Sequence, residues 1–380
     1  MEAARLVGKD EATIFLIDDI IAHITAQTCR QSGLSVVYTE LLNFEGDEIY
    51  FQEEPQLVGK TFGEALLQYE SSTVIGLRPK DAKPKLNPPM DSLIQPGDKI
   101  IAISADDDSV ILSGVTSIPV QSELICLRTP APALPERTLI LGWNPGGATI
   151  VTELDHYVAP GSEITIITPA TMQEEEISQI QSRLINQAIA FHTADTTSRK
   201  VLNSLQLETY KHVIVLADSS TDNPDIIDSH TLITLLHLRD ISDKSSNPYS
   251  IVTEMLDVRN RALAQITRPD DFIVSGELAS LLITQISENK ELSLVFEDLL
   301  YAEGSEIYIK LISDYIDIGQ PVNFYTLVEA ARRKGEVAIG YRIIEHANDP
   351  AMSYGIVLNP DKSQAVIYKE HDRMIVLAES

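Results

Sequence analysis

Two stretches of the chain, Leu34 to Phe51 (LSVVYTELLNFEGDEIYF) and Leu292 to Ile309 (LSLVFEDLLYAEGSEIYI), agree at ten of eighteen positions at a constant offset of 258 residues. Shared composition does not produce such agreement, so the sequence carries an internal duplication and must fold as something that can be built twice. Upstream the same offset sets Gln27 on Gln285 and Ile24 on Leu282. Downstream the copies drift but keep their order: Gly76-Leu77-Arg78 answers Gly340-Tyr341-Arg342, Asn87-Pro88 answers Asn359-Pro360, and Asp98-Lys99-Ile100-Ile101 answers Asp372-Arg373-Met374-Ile375. Met1 falls on Arg259, so the first copy has no counterpart of the segment from about Arg137 to Val258. Met1 is read as a cut inside a longer parent protein.

The segment without a counterpart alternates short apolar runs with helical stretches, the pattern of βαβ units on a parallel sheet. Strands are expected at Thr138–Leu141, Glu163–Thr168, Ala188–His192, Val213–Ala217, Ser250–Glu254 and Phe272–Val274. Helices are expected at Thr149–Tyr157, Glu174–Asn186, Thr197–Leu205, Pro224–Arg239 and Asn260–Ile266. A further helix, Gly276–Glu288, and its counterpart Asp19–Arg30 cross from one lobe to the next; their apolar residues recur at helical spacing and are expected to be buried. The crossover of the first copy has lost its own nucleotide-fold half, so it must dock on the second copy or leave an apolar face in water. In the first β-rich lobe, a helix is expected at Thr61–Tyr69, strands at Thr73–Leu77 and Lys99–Ile103, and a proline-rich loop at Pro79–Pro89.

The fold class is therefore α/β: a Rossmann-like parallel-sheet lobe plus small β-rich (α+β) lobes, in a tandem duplication whose first Rossmann half is truncated. The expected divisions are 1–51, remnant of the first Rossmann lobe and crossover; 52–118, first β-rich lobe; 119–136, linker; 137–275, Rossmann-like lobe; 276–309, second crossover; and 310–380, second β-rich lobe. A chain of 380 residues has room for several such cores.

Lys and Arg number 29 against 56 Asp and Glu, a formal charge of −27. Such a surface repels phosphate backbones and anionic lipid, so neither nucleic acid nor direct membrane insertion is expected, and cations are the natural counter-ligands. The two cysteines, Cys29 and Cys126, have neither CxxC nor His-flanked spacing and are expected to be free buried thiols of a reducing compartment. No apolar run approaches the ~20 residues of a membrane helix, and Met1 to Asp10 lacks the apolar core of a signal peptide.

The phosphate-loop candidate is Leu141-Gly142-Trp143-Asn144-Pro145-Gly146-Gly147, set between a first strand and a first helix. Gly142, Asn144, Gly146 and Gly147 are its candidate cofactor-binding residues, since small residues let backbone N–H groups approach a pyrophosphate. Trp143 and Pro145 depart from the GxGxxG pattern, and Thr168-Pro169 stands where an acid for a ribose would close the second strand. A structural turn is the competing reading, and no tightly bound dinucleotide is expected.

The candidate metal ligands are Glu45, Asp47, Glu303 and Glu306 in the duplicated segment, carboxylates that suit a hard cation such as Ca²⁺. The competing reading is a solvated bend leading into a strand. Asp106-Asp107-Asp108 lacks the alternating spacing of a cation loop and reads as an exposed turn, and Asp222-Asn223-Pro224 reads as a helix start. The eight His are scattered, and neither HExxH, GxSxG nor a Walker loop occurs, so catalysis has no support.

The repeated ITAQTCRQSGLSVVYTELLNFEGDEIYF, the Leu139-Ile140-Leu141-Gly142-Trp143 opening and Val158-Ala159-Pro160-Gly161-Ser162-Glu163 resemble the Castor/Pollux ion-channel family over nearly the whole chain. More loosely, the pattern resembles the regulator-of-potassium-conductance (RCK) domains of other channels and transporters. The resemblance implies a cytosolic gating ring, built from paired RCK domains of four subunits under a cation pore, in which ligand binding moves the ring. Calcium is the ligand it implies first, with Glu45, Asp47, Glu303 and Glu306 in the relevant neighbourhood, and NAD or another nucleotide comes second. The partners implied are further copies of the chain and a membrane pore domain absent from it. The alternatives are a free-standing regulatory subunit of a potassium uptake system, which usually keeps an intact glycine fingerprint, and an NAD-dependent oxidoreductase.

Overall fold

The computed structural model describes residues 17–44, 46–129, 132–219, 221–245, 249–260, 263–264, 271–300 and 304–379. The chain begins with helices α1 (Ile17–Arg30) and α2 (Leu34–Leu42), followed by β1 (Glu48–Glu53), the single helical turn α3 (Phe62–Ala65), β2 (Thr73–Arg78), β3 (Lys85–Leu86) and β4 (Lys99–Ser104). The central segment runs β5 (Arg137–Leu141), α4 (Gly147–Tyr157), β6 (Ser162–Thr168), α5 (Glu174–Gln181), β7 (Gln187–Thr193), α6 (Arg199–Ser204), β8 (His212–Val215), α7 (Pro224–Ser242), β9 (Ser250–Met255) and β10 (Asp271–Val274). It ends with α8 (Ser275–Glu288), α9 (Leu292–Leu300), β11 (Ser305–Leu311), β12 (Pro321–Asn323), α10 (Phe324–Arg333), β13 (Val337–Arg342), β14 (Ile356–Leu358), β15 (Ala365–Ile367) and β16 (Arg373–Glu379).

Two compact units divide these elements, and each takes residues from both copies: 1–35 with 132–283, and 36–131 with 284–380. In the first, six strands pair in the order β10-β9-β8-β5-β6-β7, and every pairing is parallel. This is a doubly wound sheet whose direction of winding reverses between β5 and β8. Strand side chains alternate between faces, so Leu139, Leu141, Val213 and Val215 enter one core with Leu235 and Leu238 of α7, while Ile140 and Ile214 are buried on the other face. On that other face α1, a helix of the first copy, packs beside α4 on the sheet of the second. Ile20, Ile21 and Ile24 are 2, 5 and 0% exposed, as expected of a crossover that has to dock on the second copy. Burial of each is worth about 1.5–3 kcal/mol.

A charged cluster fastens the C-terminal end of α1. Glu136 bonds to Arg30, accepts from Lys211 Nζ at 2.7 Å and lies 3.7 Å from His212 Nε2. Burial pushes the Glu136 carboxyl up, but Lys211 and Arg30 outweigh it and hold the group below its ordinary value. Burial also pulls His212 down to about 4 and pushes the neighbouring Cys29 thiol up to about 12, so both are neutral and the thiol is inert.

The second unit holds two β-rich lobes with one topology. Strand order is β1-β4-β2-β3 in the first and β11-β16-β13-β14 in the second, antiparallel throughout. The same irregularity recurs, with the register shifting between Val74 and Gly76 and between Ala338 and Gly340. There a Cβ on Gly76 would lie 2.5 Å from the Lys85 carbonyl, and one on Gly340 2.3 Å from that of Val357, which explains the repeated glycine. Asp98 and Asp372 are equivalent clamps: each buried carboxylate accepts two loop amides, Gln95 and Lys80 in one lobe, Lys369 and Ile344 in the other.

Several expected elements change length. Helix α5 stops at Gln181, short of Asn186, because the Asp155 carboxylate takes the amides of Ile185, Asn186 and Gln187 at 2.7–2.9 Å and turns the chain into β7. Helix α7 runs on to Ser242, with Arg239 pairing to Asp243 one turn later. The helix expected at Thr61–Tyr69 is one turn, closed by a capping box between Thr61 and Glu64. The proline-rich loop contains β3, whose pairing with β2 leaves no room for a side chain at Gly76. Most of the helix expected at Asn260–Ile266 lies outside the described residues.

Candidate functional site

In the first unit, the turn from β5 into α4 lies at the carboxyl end of the sheet beside the winding reversal, where doubly wound folds place their ligands. Gly142 adopts φ +92°, and a Cβ there would come within 2.6 Å of the Leu216 carbonyl, so glycine is required. Three amides of the turn are engaged within the protein. Trp143 N donates to Asp218 Oδ2 at 3.3 Å, Gly146 N to Asn144 Oδ1 at 3.1 Å and Gly147 N to the Asn144 carbonyl at 3.0 Å. Pro145 has no amide hydrogen to offer. The buried Trp143 ring packs edge-on against Phe191 with centroids 5.4 Å apart, and a Cβ on Gly147 would meet that ring at 2.7 Å.

Helix α1 lies over the same turn: a Cβ on Gly146 would be 3.4 Å from the Ala22 methyl and 3.6 Å from the Asp18 carbonyl. The space left is a cavity of about 240 Å³. Asp18, Asp218, Asp222 and Glu254 line it, with neither Lys nor Arg among the described lining residues. Glu254 is the most deeply placed of the four. It accepts from Ser275 Oγ at 2.6 Å, Asn144 Nδ2 at 2.7 Å and Ala217 N at 3.2 Å. Burial raises its carboxyl above the ordinary value against those three bonds, with Asp18 adding to the rise. Sequence reasoning missed Glu254; the signal available was an acid near the end of the otherwise apolar or neutral run Ser250-Ile251-Val252-Thr253.

The other candidate residues fall in the second unit. Glu45 and Glu303 lie outside the described residues. Asp47, just before β1, is half-buried; Asn359 Nδ2 donates to its Oδ1 at 3.3 Å, and burial raises its carboxyl above the usual range. Glu306, on β11, is 1% exposed, so the solvated bend does not describe it. Its Oε2 accepts from Tyr308 Oη at 2.7 Å, and Glu48 accepts from Tyr50 Oη at the same distance, because residues two apart on a strand share a face. Among the described residues, neither Asp47 nor Glu306 belongs to a group of three acids within reach of one ion. Asp106, Asp107 and Asp108 do form such a group, fully exposed, around a one-turn helix that Asp106 caps.

The chain shares its fold with a solved channel gating ring. The human SLO3 gating ring aligns with 99% of this chain and 79% of its own length at a TM-score of 0.70 and 13% identity. The resemblance to the Castor/Pollux family is also borne out. The family described as Castor and Pollux, part of voltage-gated ion channel, matches residues 18–119. The probable ion channel POLLUX of Oryza sativa subsp. japonica is 28% identical over 99% of this chain and 42% of its own length. The ion channel CASTOR of Lotus japonicus is 29% identical over 89% of this chain and 44% of its own. The chain thus spans less than half the length of these relatives. No helix among the described residues is long and apolar enough to cross a membrane.

Proposed function

We propose that this chain is the cytosolic regulatory portion of a cation channel, a gating-ring segment that couples a small ligand to a pore carried elsewhere in the parent protein, and that it is not an enzyme. The observation that carries the reading is similarity to proteins named as ion channels over 99% of the chain. Copies of the chain would associate in a ring, tetrameric in the parent channel. A ligand shifts such a ring only by binding two lobe arrangements with different affinity.

Ca²⁺ is the ligand this reading favours, with the carboxylates of Asp47 and Glu306 and those of the α1-covered cleft as its candidate environments. A dinucleotide is disfavoured: its pyrophosphate would meet four carboxylates and a loop three of whose amides are engaged. The departures at Trp143 and Pro145 likewise weigh against a potassium-uptake subunit and an NAD-dependent oxidoreductase. Calorimetry with Ca²⁺, NAD and ATP tests this, alongside fluorescence of Trp143, the single Trp of the chain. Saturable Ca²⁺ binding with no response to either nucleotide is expected. Micromolar NAD affinity with a Trp143 signal would transfer the chain to one of the alternatives.

A further inference from the structure

Lys362 is the one lysine among the fully buried side chains of the described residues, at 0% exposure. It follows the second Asn-Pro turn, and its Nζ crosses to the first lobe, donating to the Ser72 carbonyl at 2.5 Å. An ammonium carries three hydrogens and is strongly hydrated in water, so burial against one carbonyl leaves its solvation incomplete. The charged groups acting on it are Glu70 and Asp361. Glu70 is itself engaged: Tyr325 Oη donates to Oε2 at 2.6 Å and Ser363 N to Oε1 at 2.9 Å. Asp361 is held below the ordinary carboxylate range first by its hydrogen bond with Glu70 and then by Ser363, so the lysine's two acidic neighbours are themselves tied up in hydrogen bonds.

The other lobe supplies the control. Backbone bonds make Met90 the equivalent of Lys362: Gly63 N donates to the Met90 carbonyl at 2.9 Å, and Tyr325 N to that of Lys362 at 3.0 Å. The equivalent residue of the first copy is thus a half-buried thioether, which carries no charge of its own.

We propose that Lys362 is a proton-operated joint between the two β-rich lobes: the neutral amine completes their packing, and the ammonium loosens it. The reading is independent of which ligand the cleft takes. Burial lowers Lys362 from 10.5 to about 7, against the pull of Glu70 and Asp361. The unfolded chain then binds more protons than the folded one between about pH 7 and 10.5, so stability rises with pH across that window and is flat below it. Near neutral pH the joint stands at the edge of the window.

The test compares the full wild-type chain with K362M, which installs the residue of the first copy. Relative to K362M, the wild type should gain roughly 5 °C in melting temperature between pH 6.5 and 9.5. Hydrogen-exchange protection of the Lys362 and Ser363 amides, which donate across the joint, should rise with pH in wild type and stay flat in the variant. Parallel melting curves with equal protection would overturn the proposal. Should K362M fail to fold, an NMR titration of the Lys362 ε-methylene in wild type decides: a midpoint near 7 supports the joint, and one near 10 removes it.

Discussion

The first and second β-rich lobes share strand order, bulge, glycine and carboxylate clamp, yet they hold each other differently. Asn87 and Asn359 both sit at positive φ, 40° and 42°, and each reaches across to an equivalent carbonyl, Asn87 to Gly335 at 3.1 Å and Asn359 to Ser71 at 2.9 Å. Beyond that shared contact the symmetry ends. The second lobe adds Lys362 on the Ser72 carbonyl, Ser363 on Glu70, and Thr73 Oγ1 on Asn359 at 2.8 Å. On the other side of the pseudo-symmetric joint, Lys334 replaces Glu70 and turns to the ring of Tyr315, 4.0 Å away. Duplication thus kept the backbone that defines the lobe and left the side chains of the joint free to specialise. One half of the joint buries a lysine beside two acids, and the other has the half-buried Met90 at that position.

The largest effect should come where the lobes are alike. Gly76→Val and Gly340→Val each force a side chain into a neighbouring carbonyl and should cost more than about 4 kcal/mol, measured by denaturant unfolding. Tolerance at one site alone would show that the two bulges are not equivalent. A smaller, unequal effect is expected where the lobes differ. Glu70→Ala leaves the Tyr325 hydroxyl and the Ser363 amide without their acceptor and should cost roughly 2–4 kcal/mol. Lys334→Ala, at the equivalent position, removes a half-buried cation–π contact and a hydrogen bond to the Arg128 carbonyl and should cost about 1 kcal/mol. Equal losses would erase the asymmetry of the joint. The smallest pair sharpens the comparison within the duplicated segment. Tyr308→Phe deprives the buried Glu306 of a hydrogen bond and should cost about 1–2 kcal/mol, whereas Tyr50→Phe beside the half-buried Glu48 should cost less than about 1 kcal/mol. A reversed order would mean that exposure of the carboxyl does not set the loss.

Much of the architecture was legible because it depends on local pattern. The six strands of the parallel sheet follow from apolar runs between helical stretches, and the duplicated lobes from repeated residues that do backbone work, such as Gly76 and Gly340 or Asp98 and Asp372. Helix ends were less legible. Asp155 stops α5 from a distance of thirty residues, and nothing within Glu174–Asn186 announces it. The glycine loop was recognisable as a turn, but three of its amides are engaged by Asp218, from just beyond another strand, and by Asn144 in the loop itself.

The sequence by itself determined that the chain carries an internal duplication, since an offset of 258 residues needs no coordinates to be seen. It also determined that α1 needs a partner, because the stripe of Ile20, Ile21 and Ile24 is apolar wherever the helix goes. Only the tertiary structure decided where that stripe is buried and what the chain's polar groups meet there. It laid α1 across the turn before α4, drew Asp18, Asp218, Asp222 and Glu254 around one cavity, and closed Lys362 between two lobes. Periodicity fixes which face of an element avoids water. The charge state of a buried acid or lysine depends on neighbours brought from hundreds of residues away, and that is settled only when the chain has packed.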